Sequence, residues 1–143
     1  MPILHTVSNI NKKLLSITRI SDPNYFIIHV VIGNDIYECK FDNRPDCCEE
    51  FATYTYLGDD IDTEDKTEND IVDYSSITNE TITSIRICVY KSSIYIKFID
   101  GTDDALFIIE FRNEHNGYYP HDVIINLYEN EDDNGMQIFK TCV

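Results

Sequence analysis

The chain has 143 residues, 26 of them acidic and 11 basic, for a formal net charge of −15. That balance opposes non-specific attraction to nucleic acid and to anionic membranes, and it suits cationic partners or a solvated acidic surface. No apolar run nears the ~20 residues of a membrane-spanning helix, and Met1–Lys13 has no apolar signal-peptide core. The expectation is one intracellular domain over residues 1–143, long enough for a sizeable core.

The first predicted strand runs from Lys13 to Ile20, with Leu15 and Ile17, or Leu14 and Ile20, facing inward. Ser21-Asp22-Pro23-Asn24 is a strong turn. Tyr25–Ile32 is a near-continuous apolar strand of the kind buried on both faces. His29, the polar break in that run, reads as a satisfied or partly exposed strand histidine rather than a ligand. Gly33-Asn34-Asp35 turns the chain into a strand over Ile36–Asp42, where Tyr37, Cys39 and Phe41 alternate with Glu38 and Lys40. The first 42 residues therefore form a small meander.

Asp46 followed by Glu49 has the form of a capping box and predicts a short helical turn. A strand over Phe51–Leu57 comes next, because Thr53 and Thr55 disfavour helix. Gly58–Asn69 holds Asp59, Asp60, Asp62, Glu64, Asp65 and Glu68 against Lys66 alone. Like charge with little to bury predicts a mobile acidic loop. Ile71–Tyr74 is expected to return briefly as a strand.

Ile82–Arg112 is the organising stretch. Ile85, Ile87 and Val89, then Ile94, Ile96 and Phe98, then Phe107, Ile109 and Phe111 alternate with a second set at period two. Lys91-Ser92-Ser93 and Asp100-Gly101-Thr102-Asp103 supply the two turns of a three-stranded antiparallel meander. The first sets face the core. Ile99, Leu106 and Ile108 suggest that the opposite face is partly covered as well. Asn116-Gly117 marks a further turn, Asp122–Tyr128 a strand with Val123, Ile125 and Leu127 on one side, Glu129–Gly135 a second acidic turn, and Met136–Val143 a closing strand. The fold class is all-β or nearly so: an antiparallel sandwich or strongly curved sheet of about eight or nine strands, with at most a short helix.

Candidate chemistry is sparse. Of the five cysteines, Cys39 and Cys88 lie inside strand patterns, where thiols act as small hydrophobes. Cys47 at a helix start, with His115 or His121 as base, would make a nucleophile. Asp46, Glu49 and Glu50 oppose the thiolate that this chemistry needs. His115, His121 and Asp122 match no zinc spacing. Asp59, Asp60, Asp62 and Glu64 are candidates for weak cation binding, but the glycine and glutamate of an EF-hand loop are missing. Asn116, Gly117, Tyr118 and Tyr119 form a candidate interaction patch, since tyrosine is enriched at interfaces. No catalytic residue, metal ligand or cofactor site is assigned.

Two short strings stand out together: Asp46-Cys47-Cys48 directly after a hairpin, and Asn116-Gly117-Tyr118-Tyr119 between a meander and a strand containing Val123. In this order they resemble a family of small uncharacterised proteins of bacteriophages and large DNA viruses, over about Ile36–Tyr128. Pro120 stands where that pattern has serine, and the acidic loop is longer than the pattern needs. The resemblance implies a viral origin and a β-rich fold, and it carries no activity.

The leading expectation is a non-enzymatic viral accessory or virion-associated structural protein. It would act through protein–protein contacts in the host cytoplasm, the nucleus or the virion. An exposed strand edge would give a homodimer; the protein partner is otherwise unknown, and neither direct nucleic-acid binding nor membrane association is expected. Two alternatives stand beside it: an acidic nucleic-acid-mimicking decoy for a host DNA- or RNA-binding protein, and a small enzyme using Cys47 or the His115/His121 loop.

Overall fold

A computed structural model describes residues 1–42, 50–61, 66–114, 121–130 and 132–143. Among these residues the chain is all-β, with twelve strands and no helix. In order they are β1 (Ile3–Val7), β2 (Lys12–Ile20), β3 (Tyr25–Ile32), β4 (Asp35–Asp42), β5 (Glu50–Leu57), β6 (Lys66–Glu68), β7 (Thr81–Ile82), β8 (Ser84–Tyr90), β9 (Ser93–Ile99), β10 (Ala105–Glu114), β11 (Asp122–Tyr128) and β12 (Met136–Cys142). They build two six-stranded antiparallel sheets. One has the order β1-β8-β9-β10-β5-β6, the other β12-β11-β4-β3-β2-β7.

The expected meander is present as β8-β9-β10, and the expected N-terminal meander as β2-β3-β4. Alternation dictates which side chains meet. Ile85, Ile87, Ile94, Ile96, Phe98, Phe107, Ile109 and Phe111 are all buried and face Leu14, Phe26, Ile28, Val30 and Phe41 of the other sheet. Phe111 stacks on Phe41 at 5.1 Å and meets Phe26 edge-on at 6.2 Å. Phe98 and Phe107 stack at 4.3 Å. Each such side chain contributes roughly 1.5–3 kcal/mol by leaving water. The sheets meet at a corner, where β7 leads through Thr83 into β8. There the Thr83 amide donates to the Ile99 carbonyl at 2.8 Å. A strand that switches sheets is a familiar way of turning such a corner.

Turn chemistry is local. Gly33 opens the two-residue β3–β4 loop with φ at 60°, a conformation that costs glycine least, and a Cβ there would also lie 2.8 Å from Lys12 Cδ. Asp100 accepts from the amide and hydroxyl of Thr102 at 2.7 and 2.6 Å, which pins the β9–β10 turn.

Several expectations are corrected. Twelve strands replace eight or nine, because β1, β6 and β7 are short and carry no alternation strong enough to announce themselves. Ile71–Tyr74 forms no strand; it leads irregularly into the turn at 75–79. Lys66–Glu68, expected within a loop, pairs with β5 as β6. In β2 the buried pair is Leu14 and Ile17, while Leu15 is exposed. The register slips between Leu14 and Ser16, and one extra residue breaks the period of two. The same happens between Ala105 and Phe107, so Leu106 packs toward the main core with Phe107 rather than on the opposite face. The helical turn expected at Asp46 lies outside the described residues.

Candidate functional site

The outer face of the β8-β9-β10-β5 sheet carries its own cluster of buried side chains: Tyr56, Cys88, Tyr95, Ile99, Ala105 and Ile108, with Tyr54 and Ile61 against it. This answers what covers that face. Long tyrosines from β5 and β9 lie over their neighbours, and Ile61 folds down from the segment after β5.

At the centre lies Glu110, with no solvent exposure. A buried carboxylate is costly unless fully paired, and this one is. Tyr56 Oη donates to its Oε1. The Ser93 hydroxyl donates to Oε2 at 2.6 Å and Arg112 Nε donates to the same oxygen at 2.8 Å. Burial, and then the bond to Glu110, pushes the Tyr56 hydroxyl far above its ordinary range. Tyr95 is raised by burial first and by Glu110 next. Burial is the largest single influence on the Arg112 cation and weakens it, but the bond to Glu110, the charge of Glu110 and the nearby Tyr54 and Tyr56 together outweigh burial and raise the group. Near neutral pH the tyrosines are therefore neutral and Arg112 is charged.

Register explains the assembly. Glu110 sits opposite Tyr54 on β5 and Tyr95 on β9, and Arg112 sits opposite Ser93. Beside this network opens a cavity of about 460 Å³, lined by Ile61, Lys66, Tyr90, Lys91, Ser92, Ser93, Tyr95, Arg112 and Glu114. Arg112 spans floor and wall, reaching Glu114 through Nη1 at 3.3 Å and lying 4.8 Å from the Tyr54 ring. Lys66 Nζ lies 4.7 Å from the same ring and Lys91 Nζ 5.2 Å from Tyr90. The cavity offers cations, hydroxyls and tyrosine faces. Glu114, the one acid among its described lining residues, pairs with Arg112.

A second cavity, of about 370 Å³, is lined by His29, Ile36, Glu38, Tyr128, Asp132 and Asp133. His29 Nε2 lies 2.8 Å from Glu38 Oε2, so this strand histidine is both partnered and partly exposed, and Asn126 donates to Glu38 Oε1 at 3.1 Å.

Strand edges are the other exposed feature. β1 ends its sheet, and Ile3 and Leu4 are 56% and 46% exposed. The register slips between Ile3 and His5, a bulge that turns Leu4 outward. His5 stacks on Phe139 of β12 at 5.6 Å.

The residues singled out in the sequence are only partly in view. Asn116, Gly117, Tyr118, Tyr119, Cys47, Cys48, His115, Asp62 and Glu64 lie outside the described residues. Of the proposed cation ligands, Asp59 instead accepts from the Ala105 amide at 3.3 Å, tying the segment after β5 to the start of β10. His121 is buried edge-on against Phe51 at 4.7 Å, with Nδ1 3.9 Å from Asp42. Asp122 instead meets Cys142 at 3.4 Å and Lys140 at 3.8 Å. Among the described residues no three His, Cys, Asp or Glu side chains are grouped as a metal site would need. Sequence reasoning missed the Glu110 network. The one signal available was an acid placed among the apolar residues of β10.

The class that fold and site define is an all-β antiparallel sandwich with a polar pocket on the outside of one sheet. No protein-family model matches the chain, and no curated protein or solved structure matches it. Among the described residues no helix is long and apolar enough to cross a membrane.

Proposed function

We propose that this protein is a non-enzymatic interaction module, of the viral accessory or virion-associated kind that its two short motifs suggest, and that its first partner is a second copy of itself. The observation that carries the reading is the β1 edge. Exposed edges invite pairing unless they are very short, charged or irregular. β6 and β7 have three and two residues. β12 carries Lys140 and has its own register slip at Ile138. β1 has its bulge at Leu4 but no charged residue.

Charge favours the same edge. Residues 1–21 contain no Asp or Glu in a chain of net charge −15. Two such chains repel except where they meet through acid-free surface. Antiparallel pairing of β1 with its copy is isologous and closes as a dimer.

Two observations favour this reading over its rivals. A decoy presents free rows of carboxylates, but three of the strand acids here have partners: Asp35 with Lys12, Glu38 with His29, and Glu110 with Arg112. An enzyme using a described thiol needs a thiolate. Burial pushes Cys39 and Cys88 up, and burial followed by Asp122 does the same to Cys142.

The test is sedimentation velocity over a concentration series, beside hydrogen exchange of the β1 amides. The expected result is a dimer whose β1 amides gain protection as concentration rises, and a monomer with Leu4→Lys. A monomer at every concentration, or a dimer indifferent to Leu4→Lys and Ile3→Lys, would sink the reading.

A further inference from the structure

We infer that the cavity between β6, the β8–β9 turn and the end of β10 is a binding site for a small organic phosphate monoester. The first argument is charge placement. Lys66, Lys91 and Arg112 line a single cavity, in a chain with only 11 basic residues against 26 acidic ones. Among the described residues one acid, Glu114, shares the lining, and it is held by Arg112. Among the described residues Lys66 and Lys91 form no ion pair; each rests near a tyrosine ring. Such contacts are weak at exposed sites, so both ammonium groups are available to a better partner.

The second argument is preorganisation. Arg112 is fixed through Nε by the fully buried Glu110, which is itself fixed by Tyr56 and Ser93. Supporting bonds of this kind hold a binding side chain in place before a ligand arrives. With Nε on Glu110 and Nη1 on Glu114, no bond among the described residues engages Nη2. A guanidinium edge and two mobile ammonium groups suit a dianionic, multi-oxygen group better than a single carboxylate.

The third argument is size and lining. About 460 Å³ falls in the range of small-molecule sites. Ile61, Tyr90 and Tyr95 provide apolar and aromatic surface beside the cations, so an organic body gains contact that inorganic phosphate lacks. The inference is independent of the dimer, since β1 contributes nothing to the lining.

The experiment titrates the full chain with phenyl phosphate, following backbone amide NMR signals and heat. Benzoate and inorganic phosphate are the comparison arms. The expected result is one saturable site that shifts the amides of Lys91, Ser92 and Ser93 and weakens as salt is added. Phenyl phosphate should bind more tightly than either comparison ligand. Lys66→Gln and Lys91→Gln are exposed changes that leave the fold intact, and each should weaken binding roughly 3- to 5-fold, the worth of a partly exposed ion pair. No saturable binding, shifts scattered over other surfaces, or affinity unchanged in the Lys66→Gln/Lys91→Gln double variant would overturn the assignment. Benzoate binding as tightly as phenyl phosphate would overturn the phosphate class.

Discussion

Glu110 shows how far one residue departs from what its type suggests. A glutamate in a strand is ordinarily a surface residue, yet this one accepts from Tyr56, Ser93 and Arg112 with no exposure. Replacing it with glutamine puts a donor where three donors already converge and leaves the Arg112 charge without its counter-ion. Glu110→Gln should therefore cost about 2–4 kcal/mol, the range for breaking a buried hydrogen-bonded pair. Glu114→Gln should cost below about 0.5 kcal/mol, since that pair is open to solvent. Urea unfolding of both variants checks the contrast. Equal small losses would mean that the buried network contributes little.

At the scale of elements, the acidic connection after β5 divides into parts with different roles. Gly58 donates to the Leu106 carbonyl at 2.8 Å and Asp59 accepts from Ala105. On the far side β6 pairs with Tyr54–Tyr56, and Arg19 donates to the Asn69 carbonyl at 2.7 Å. Asp62–Asp65, between them, is acidic and offers almost nothing to bury. A Gly/Ser replacement of residues 62–65 should leave the Tm within about 3 °C, while replacement of the whole of Gly58–Asn69 should lower it by about 5 °C or more. Thermal melts of the two variants decide it. An equal fall in both would show that the acidic tip is itself structural.

For the whole molecule, the buried thiols and phenols set an alkaline limit. Burial first, then Glu38, raises Cys39 from its ordinary 9.0, and burial first, then Asp35 and Glu129, raises Tyr37 from 10.0 to about 12. Both groups keep their protons in the fold at a pH where the unfolded chain loses them. The unfolded state then binds fewer protons, so stability falls as pH rises. Their contribution is level up to pH 9; the thiol acts above that, and Tyr37 adds to it between pH 10 and 12. Each group in its window approaches a loss of about 1.4 kcal/mol per pH unit. Urea midpoints from about pH 8 to 11 should trace this decline, with a shallower slope for Cys39→Ala between pH 9 and 10. A midpoint flat across that range would contradict the burial of these groups.

The sequence by itself determined the class of fold, the two meanders and most inward faces. The pleat alternates side chains residue by residue, and Ile85 to Phe111 write that alternation directly into the chain. Local chemistry was equally legible at Gly33-Asn34 and Asp100–Asp103, where turn residues meet requirements set by their own backbone. What the sequence left open depended on neighbours far along the chain. The register slips at Leu14–Ser16 and Ala105–Phe107 reassigned Leu15 and Leu106, because a bulge is fixed by the partner strand rather than by the bulged one. β6 exists because Tyr54–Tyr56 offers it an edge, and β1 because β8 does. The cavity could not be read in advance at all. Lys66, Lys91 and Arg112 come from separate parts of the chain, and only the order of β8, β9, β10, β5 and β6 in one sheet brings their charges together over a buried carboxylate.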